Sequence, residues 1–332
     1  MIHHTMRYVN MDLMNCGSAR CFDLDGVPGA IMSSRNNARV GMATLFSDRI
    51  PYSAIIDRPV LRLPGSARIA VWVIVNVEHW SADGAMPRVV IPPPMHQPLL
   101  PDLPNWAWHE YGMRVGFWRI FETLRSRAIT PTLALNGFVC RSYPRVAEAA
   151  RDAGWEFIGH GYKQTAMHRL EDQRLAIRQT IADIAQLTGR APRGWESPGM
   201  TETEQTLDFL SAEGIEYVAD WVLDDQPVTI KAEPNPVVAL PYTVETNDVV
   251  MFTIQNHAAE EFAHRCRAQF DRLYAEGAQS ARIMAISVHP YLTGVPHRIG
   301  WLESVLDYIR GFADVQWWTG GEILDWYRKT SA

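Results

Sequence analysis

Glu78, His160, Asp220 and His289 each stand at the end of a short apolar run in this chain of 332 residues. A carboxylate can take a proton from water, and an imidazole can return one to a leaving nitrogen. Groups of both kinds converging on one mouth therefore suit hydrolysis of an acyl bond to nitrogen. Histidines can equally hold zinc, which brings the pKa of a bound water to about 7. His79, directly after Glu78, adds an imidazole to the first run. Each residue taken singly has an ordinary explanation. Glu78 and His79 can simply begin a solvated loop, and a lone histidine at a strand end is often structural. Three histidines on separate strands of one barrel are harder to put down to coincidence.

Those residues need strands to deliver them. The run 68–80, RIAVWVIVNVEHW, is rich in β-branched residues and almost uncharged until Glu78. It reads as a strand buried on both faces, as in a parallel sheet or barrel. In such barrels the strand C-termini carry the chemistry. Further strands are expected at 132–136, 155–159, 215–221, 237–241, 249–254, 283–288 and 315–317. Helical periodicity begins at Glu110, and helices are expected at 145–153, 171–187, 202–213, 258–276, 299–312 and 320–328. Gly154, Gly189 and Gly214 supply stop signals for the first three of these. Strand and helix alternate about seven times, which implies an α/β fold with its parallel sheet closed or nearly closed as a barrel. No strand is followed by GxGxxG or GxxxxGK[ST], which argues against a nucleotide-dependent enzyme.

Composition narrows the classes further. With 31 basic and 37 acidic residues the net charge is −6, which offers no electrostatic case for nucleic acid or an anionic membrane. Cys16, Cys21, Cys140 and Cys266 have no metal-ligand spacing and suit a reducing compartment. No apolar run reaches membrane-spanning length, and residues 1–30 lack the pattern of a signal peptide, so a cytoplasmic protein is expected. Residues 1–45 show no sustained periodicity and are expected to form a poorly ordered extension, with the folded domain over 46–332. The Pro-rich stretch 81–108 is too long for a connector and reads as a lid, a binding loop or a subunit contact. Trp80, Trp106, Trp108 and Trp221 are candidate pocket walls, although Trp106 and Trp108 suit a subunit interface equally well. Glu110, Arg114 and Arg119 either orient substrate or bridge across a helix face. His168, His257 and His297 read as ordinary.

The ordered set NVEH (76–79), GHGYKQ (159–164), RGWESPG (193–199), ADW (219–221) and SVHP (287–290) resembles the NodB-type polysaccharide deacetylases. Within them it is most similar to the cytoplasmic branch containing cofactor-independent allantoinase and cyclic imide hydrolases. EYGMRVGFWR (110–119) and DWVLDDQP (220–227) resemble that branch too, and the likeness spans roughly 48–330. It implies a deformed (β/α)7 barrel that hydrolyses carbon–nitrogen bonds other than peptide bonds. Glu78 then stands at the catalytic base, His289 at the general acid, and His160 binds the substrate carbonyl or a metal. Trp80, Trp195, Trp221, Asp220 and Gln164 stand near substrate, with Asp220 favoured as a support. A metal such as zinc would fall to His79, His160 and Gln164. Glutamine is a poor zinc ligand, so the implied metal is absent or weakly held. The resemblance also implies a small amide or imide substrate and a homotetramer. A metal-dependent polysaccharide deacetylase and an inactive barrel kept for binding are the alternatives.

Overall fold

Of the chain, the computed structural model describes residues 46–97 and 100–330. The expected extension over 1–45 lies outside the described residues. Among the described residues nine strands form one sheet: β1 (Ile69–Val77), β2 (Thr132–Leu135), β3 (Glu156–Gly159), β4 (Gly194–Trp195), β5 (Tyr217–Val218), β6 (Val228–Ile230), β7 (Val237–Ala239), β8 (Arg282–Val288) and β9 (Val315–Trp317). Their order is β6-β7-β5-β4-β3-β2-β1-β8, with β9 beside the first residues of β1. Every pair is parallel except β6 with β7. The sheet curls into a half-barrel with helices around it, the deformed α/β barrel expected. Its open seam is laced by single bonds, from Ile283 N to the Asp225 carbonyl (3.0 Å) and from Ser287 N to the Thr246 carbonyl (3.1 Å).

All nine residues of β1 are buried, and the strand separates two cores. Ala70, Trp72 and Ile74 join Ala134, Ile158, Tyr217, Ile283 and Ala285 inside the curl. Val71, Val73, Val75 and Val77 join Leu133, Phe157, Met284 and Ile286 under the outer helices. Alternation along a strand sends successive side chains to opposite faces. That parity decides which residues at the strand ends look into the barrel.

Two expectations need correction. The stretch 249–254 is not a strand: Val250–Ile254 forms a single π-type helical turn. A short apolar run carries no periodicity that would separate the two conformations. Helix also begins earlier than Glu110, at Leu103, because Asp102 caps it by accepting from Asn105 N (3.3 Å) and Pro104 sits in the first turn.

The helical chain continues through Gly112–Gly116 into Phe117–Arg125. A Cβ on Gly112 would run into the backbone of Tyr291, and one on Gly116 into the Pro290 carbonyl. This close approach seats the segment just after His289. Gly112→Ala gains about 1 kcal/mol of helix propensity. Overpacking costs about 1–3 kcal/mol, and a backbone neighbour cannot rotate away. Net destabilisation is therefore expected, read as a lower urea midpoint; an unchanged midpoint would contradict the packing argument.

Candidate active site

Strand parity brings three of the expected residues together. Glu78 continues the inward row Trp72, Ile74, Asn76; His160 follows Ile158 in the same phase; His289 follows Ile283, Ala285 and Ser287. The Glu78 carboxylate is the centre. Its Oε1 lies 3.8 Å from His160 Nε2 and 3.6 Å from His289 Nε2. Gln164 Nε2 donates to Oε1 and Trp80 Nε1 donates to Oε2, both at 2.8 Å. Burial alone would raise the Glu78 pKa, but the neighbouring His160 ring and the charges of His289 and Arg88 hold it well below the usual carboxylate range. It is a carboxylate at any ordinary pH.

Each imidazole is oriented by its other nitrogen. His289 Nδ1 lies 2.7 Å from Asp248 Oδ1. Asp248 Oδ2 accepts from His289 N (2.7 Å) and Thr293 Oγ1 (2.6 Å). An Nδ1–H facing a fixed, fully buried carboxylate stabilises the imidazolium and aims Nε2 at Glu78. His160 Nδ1 lies 2.8 Å from the Glu196 carbonyl, which assigns the proton to Nδ1. Its Nε2 is buried with no hydrogen-bond partner among the described residues. An unmet polar group of this kind costs about 1–3 kcal/mol, and a substrate oxygen would relieve it. Burial disfavours the charged His160 ring, but Glu196 and Glu78 outweigh it and raise the pKa.

Asp248 and Glu196 were not singled out from sequence. Glu196 lies one residue past Trp195, hence on the opposite face by parity, and its carboxyl is 4.0 Å from His160 Nδ1. Asn76 sits between Ser287 and Glu196. The amide orientation that satisfies both places Nδ2 3.0 Å and 3.3 Å from the two Glu196 oxygens. Burial, opposed in part by His160 and reinforced by Asp220, pushes the Glu196 carboxyl up to about 7.

Other expected residues fall elsewhere. Trp80 is fully buried; it stacks on His109 and holds Glu78, so it supports the base rather than walling a pocket. Trp195 is also fully buried, packed in a separate cluster with Ile177, Leu207 and Val218 rather than beside substrate. Asp220 accepts from Ser197 N (2.6 Å), and Trp221 donates to Glu202 (2.9 Å), so this pair steadies the turn carrying Glu196.

The implied metal set fares differently. His79, out of phase with Glu78, turns to Ser142 (Nδ1 to Oγ, 3.0 Å) and packs edge-on against Phe138. Burial and the Lys163 charge push its pKa down to about 4. Gln164 spends its amide on Glu78 and on Asn136 (3.1 Å). As placed, His79, His160 and Gln164 do not gather as a ligand set. Among the described residues no three His, Cys, Asp or Glu side chains are arranged to hold a metal ion. These residues fit a metal poorly.

The pKa shifts give a pH prediction. A donor at His160 Nε2 needs the protonated ring. Because its pKa is raised, activity persists above the ordinary 6.5 and falls as pH rises through the folded value. The acid limb cannot come from Glu78, which is already ionised. A kcat that keeps rising with pH and shows no alkaline fall would remove His160 as the donor.

The family model for polysaccharide deacetylase matches residues 109–218, a span holding His160 and Glu196 but not Glu78 or His289. A Schizosaccharomyces pombe protein named as a polysaccharide deacetylase is 27% identical over 219 residues, 60% of this chain and 68% of its own. Among solved structures, a probable polysaccharide deacetylase from Pseudomonas aeruginosa PAO1 is 27% identical, with a TM-score of 0.72 over 82% of this chain and 95% of that one. PuuE allantoinase is 26% identical, with a TM-score of 0.73 over 87% and 98% of the two chains.

Proposed function

We propose that the chain, a hydrolase of non-peptide carbon–nitrogen bonds of the NodB-type polysaccharide deacetylase superfamily, opens small cyclic imides or ureides. One observation carries the choice of substrate. Glu78, His160 and His289 are only 2%, 1% and 4% exposed. A polymer needs an open groove to present one acetamide among many sugars; reacting side chains this buried suit a smaller molecule.

Glu78 takes a proton from a water as that water attacks the carbonyl carbon. The carbonyl oxygen gains charge and is met by His160 Nε2–H, a donor with no competing bond. As the tetrahedral intermediate collapses, the C–N bond breaks and His289 Nε2–H protonates the departing nitrogen. His289 then recovers a proton from Glu78 across the 3.6 Å separation, which resets both groups. The products are an amide or urea nitrogen and a new carboxylate on one opened chain.

The second reading is N-deacetylation of an acetylated sugar, favoured by the deacetylase family model and relatives. Assay of the purified protein on succinimide, hydantoin and allantoin, against an acetylated chitooligosaccharide and with and without chelator, separates the two. Ring opening that survives chelation is expected. Chelator-sensitive acetate release with no ring opening would return the chain to the deacetylases. We also take the protein to be a cytoplasmic homo-oligomer. Exposed Val89, Val90, Ile91 and Met95 in the long loop support self-association. Among the described residues no helix is long and apolar enough to cross a membrane.

A further inference from the structure

Arg88 belongs to the Pro-rich loop and to none of the motifs that carry the reaction. Its Nε donates to the Tyr291 hydroxyl (3.1 Å). Tyr291 in turn packs its ring against Trp80 (5.2 Å) and His289 (5.7 Å), so the guanidinium lies over the wall of the catalytic centre. Glu78 and Asp248 both act on the charge of Arg88, yet it forms no ion pair among the described residues. Neither Nη has a hydrogen-bond partner among the described residues, and neither is sealed from solvent.

A structural tether behaves otherwise. Arg193 and Arg127 each spend the forked end on carboxylates, whereas Arg88 is fastened by Nε and leaves its fork open. The fork is also held in place. Met86, two residues before it, is buried in the outer core. Just after it, buried Asn105 clamps the loop by accepting from Val90 N (2.8 Å) and Ile91 N (3.0 Å) and donating to the Ile91 carbonyl (3.0 Å). Fixing the backbone on both sides of Arg88 pre-organises a donor pair at the mouth.

We propose that Arg88 is a substrate-contacting residue that holds the second carbonyl oxygen of a CO–NH–CO group through its free Nη donors. The proposal rests on the imide or ureide reading above and narrows it. His160 Nε2 supplies a donor for the carbonyl under attack, and Arg88 supplies donors for the carbonyl on the far side of the nitrogen. Cyclic imides and hydantoins carry that pair of oxygens. An acetylated amino sugar carries one. Arg88 also sets the electrophilicity of the substrate, since a cation on the far oxygen draws electrons from the shared nitrogen and improves it as a leaving group.

The test is Arg88→Ala and Arg88→Lys assayed on succinimide and hydantoin, each with and without added guanidinium chloride at millimolar concentration against a matched sodium chloride control. Losing a charged donor pair is expected to lower kcat/KM of Arg88→Ala by about 10²-fold. Guanidinium should restore at least ten-fold of it, and Arg88→Lys should recover only part, because an ammonium lacks the flat fork. Arg88→Ala within three-fold of the parent overturns the proposal, and so does a loss that guanidinium does not rescue, which would mark a structural residue. Failure of the parent enzyme to open either ring is visible before any variant is made; it overturns the imide reading and this proposal together.

Discussion

Glu78→Gln is expected to lower kcat/KM by about 10³-fold on any substrate the protein turns over, with the chain still folded. General-base catalysis contributes roughly 10²–10⁴-fold, and the amide keeps the shape while removing the charge and basicity needed to take water's proton. Trp80 Nε1 and Gln164 Nε2 both donate to Glu78, so the substituted amide satisfies one donor and opposes the other. A modest stability loss follows, far smaller in its effect than the loss of the base. The same substitution has a second signature. Glu78 is one of the charges that raise the His160 pKa, so His160 should titrate lower in the variant, followed by its ring resonances. A folded variant retaining a tenth or more of the parent activity would remove Glu78 as the base. Unchanged biological function of an inactive variant would favour a barrel kept for binding.

How much of this site was legible in the sequence can be argued from one counting rule. The apolar run into Glu78, the strand before His160 and the strand before His289 were all readable, and the barrel followed from their alternation with helices. Two-residue parity then separates neighbours that motif reading groups together. Glu78 shares a face with Trp72 and Ile74, whereas His79 shares one with Val75 and Val77 and therefore turns to Ser142 and Phe138. Trp195 points outward with Val218, and Glu196, one residue on, points in. The resemblance places Trp195 near substrate because it stands in a shared motif; counting from the strand would have chosen the glutamate. Asp248 was less accessible. It lies between an apolar strand and a run misread as another strand, and only the curl of the sheet brings it 41 positions back to His289. Arg88 was hidden for a similar reason, since a long loop without periodicity gives no register for placing one side chain.

Asp248→Asn carries the other large expected effect, a fall in kcat on the order of 10²–10⁴-fold with KM little changed. Asp248 serves three donors at once: His289 Nδ1–H on one oxygen, and His289 N–H with the Thr293 hydroxyl on the other. Asparagine has one accepting oxygen. If that oxygen stays with Nδ1–H, its amide nitrogen opposes the His289 backbone N–H; if the amide turns, it donates to Nδ1 and fixes the other tautomer. In either orientation the imidazolium that must protonate the leaving nitrogen no longer faces an anion, and its proton is called on only in the chemical step. The loss therefore belongs to kcat, as when the aspartate of a Ser-His-Asp triad is changed to asparagine at a cost of about 10⁴-fold. Substrate binding through His160 and Arg88 is not touched. The measurement is the split between kcat and KM on succinimide, beside the low-field resonance of His289 Hδ1 in the parent and the variant. A variant within ten-fold of the parent kcat would mean that the leaving nitrogen takes its proton from Glu78 directly, leaving His289 a positioning residue for the carboxylate it sits beside.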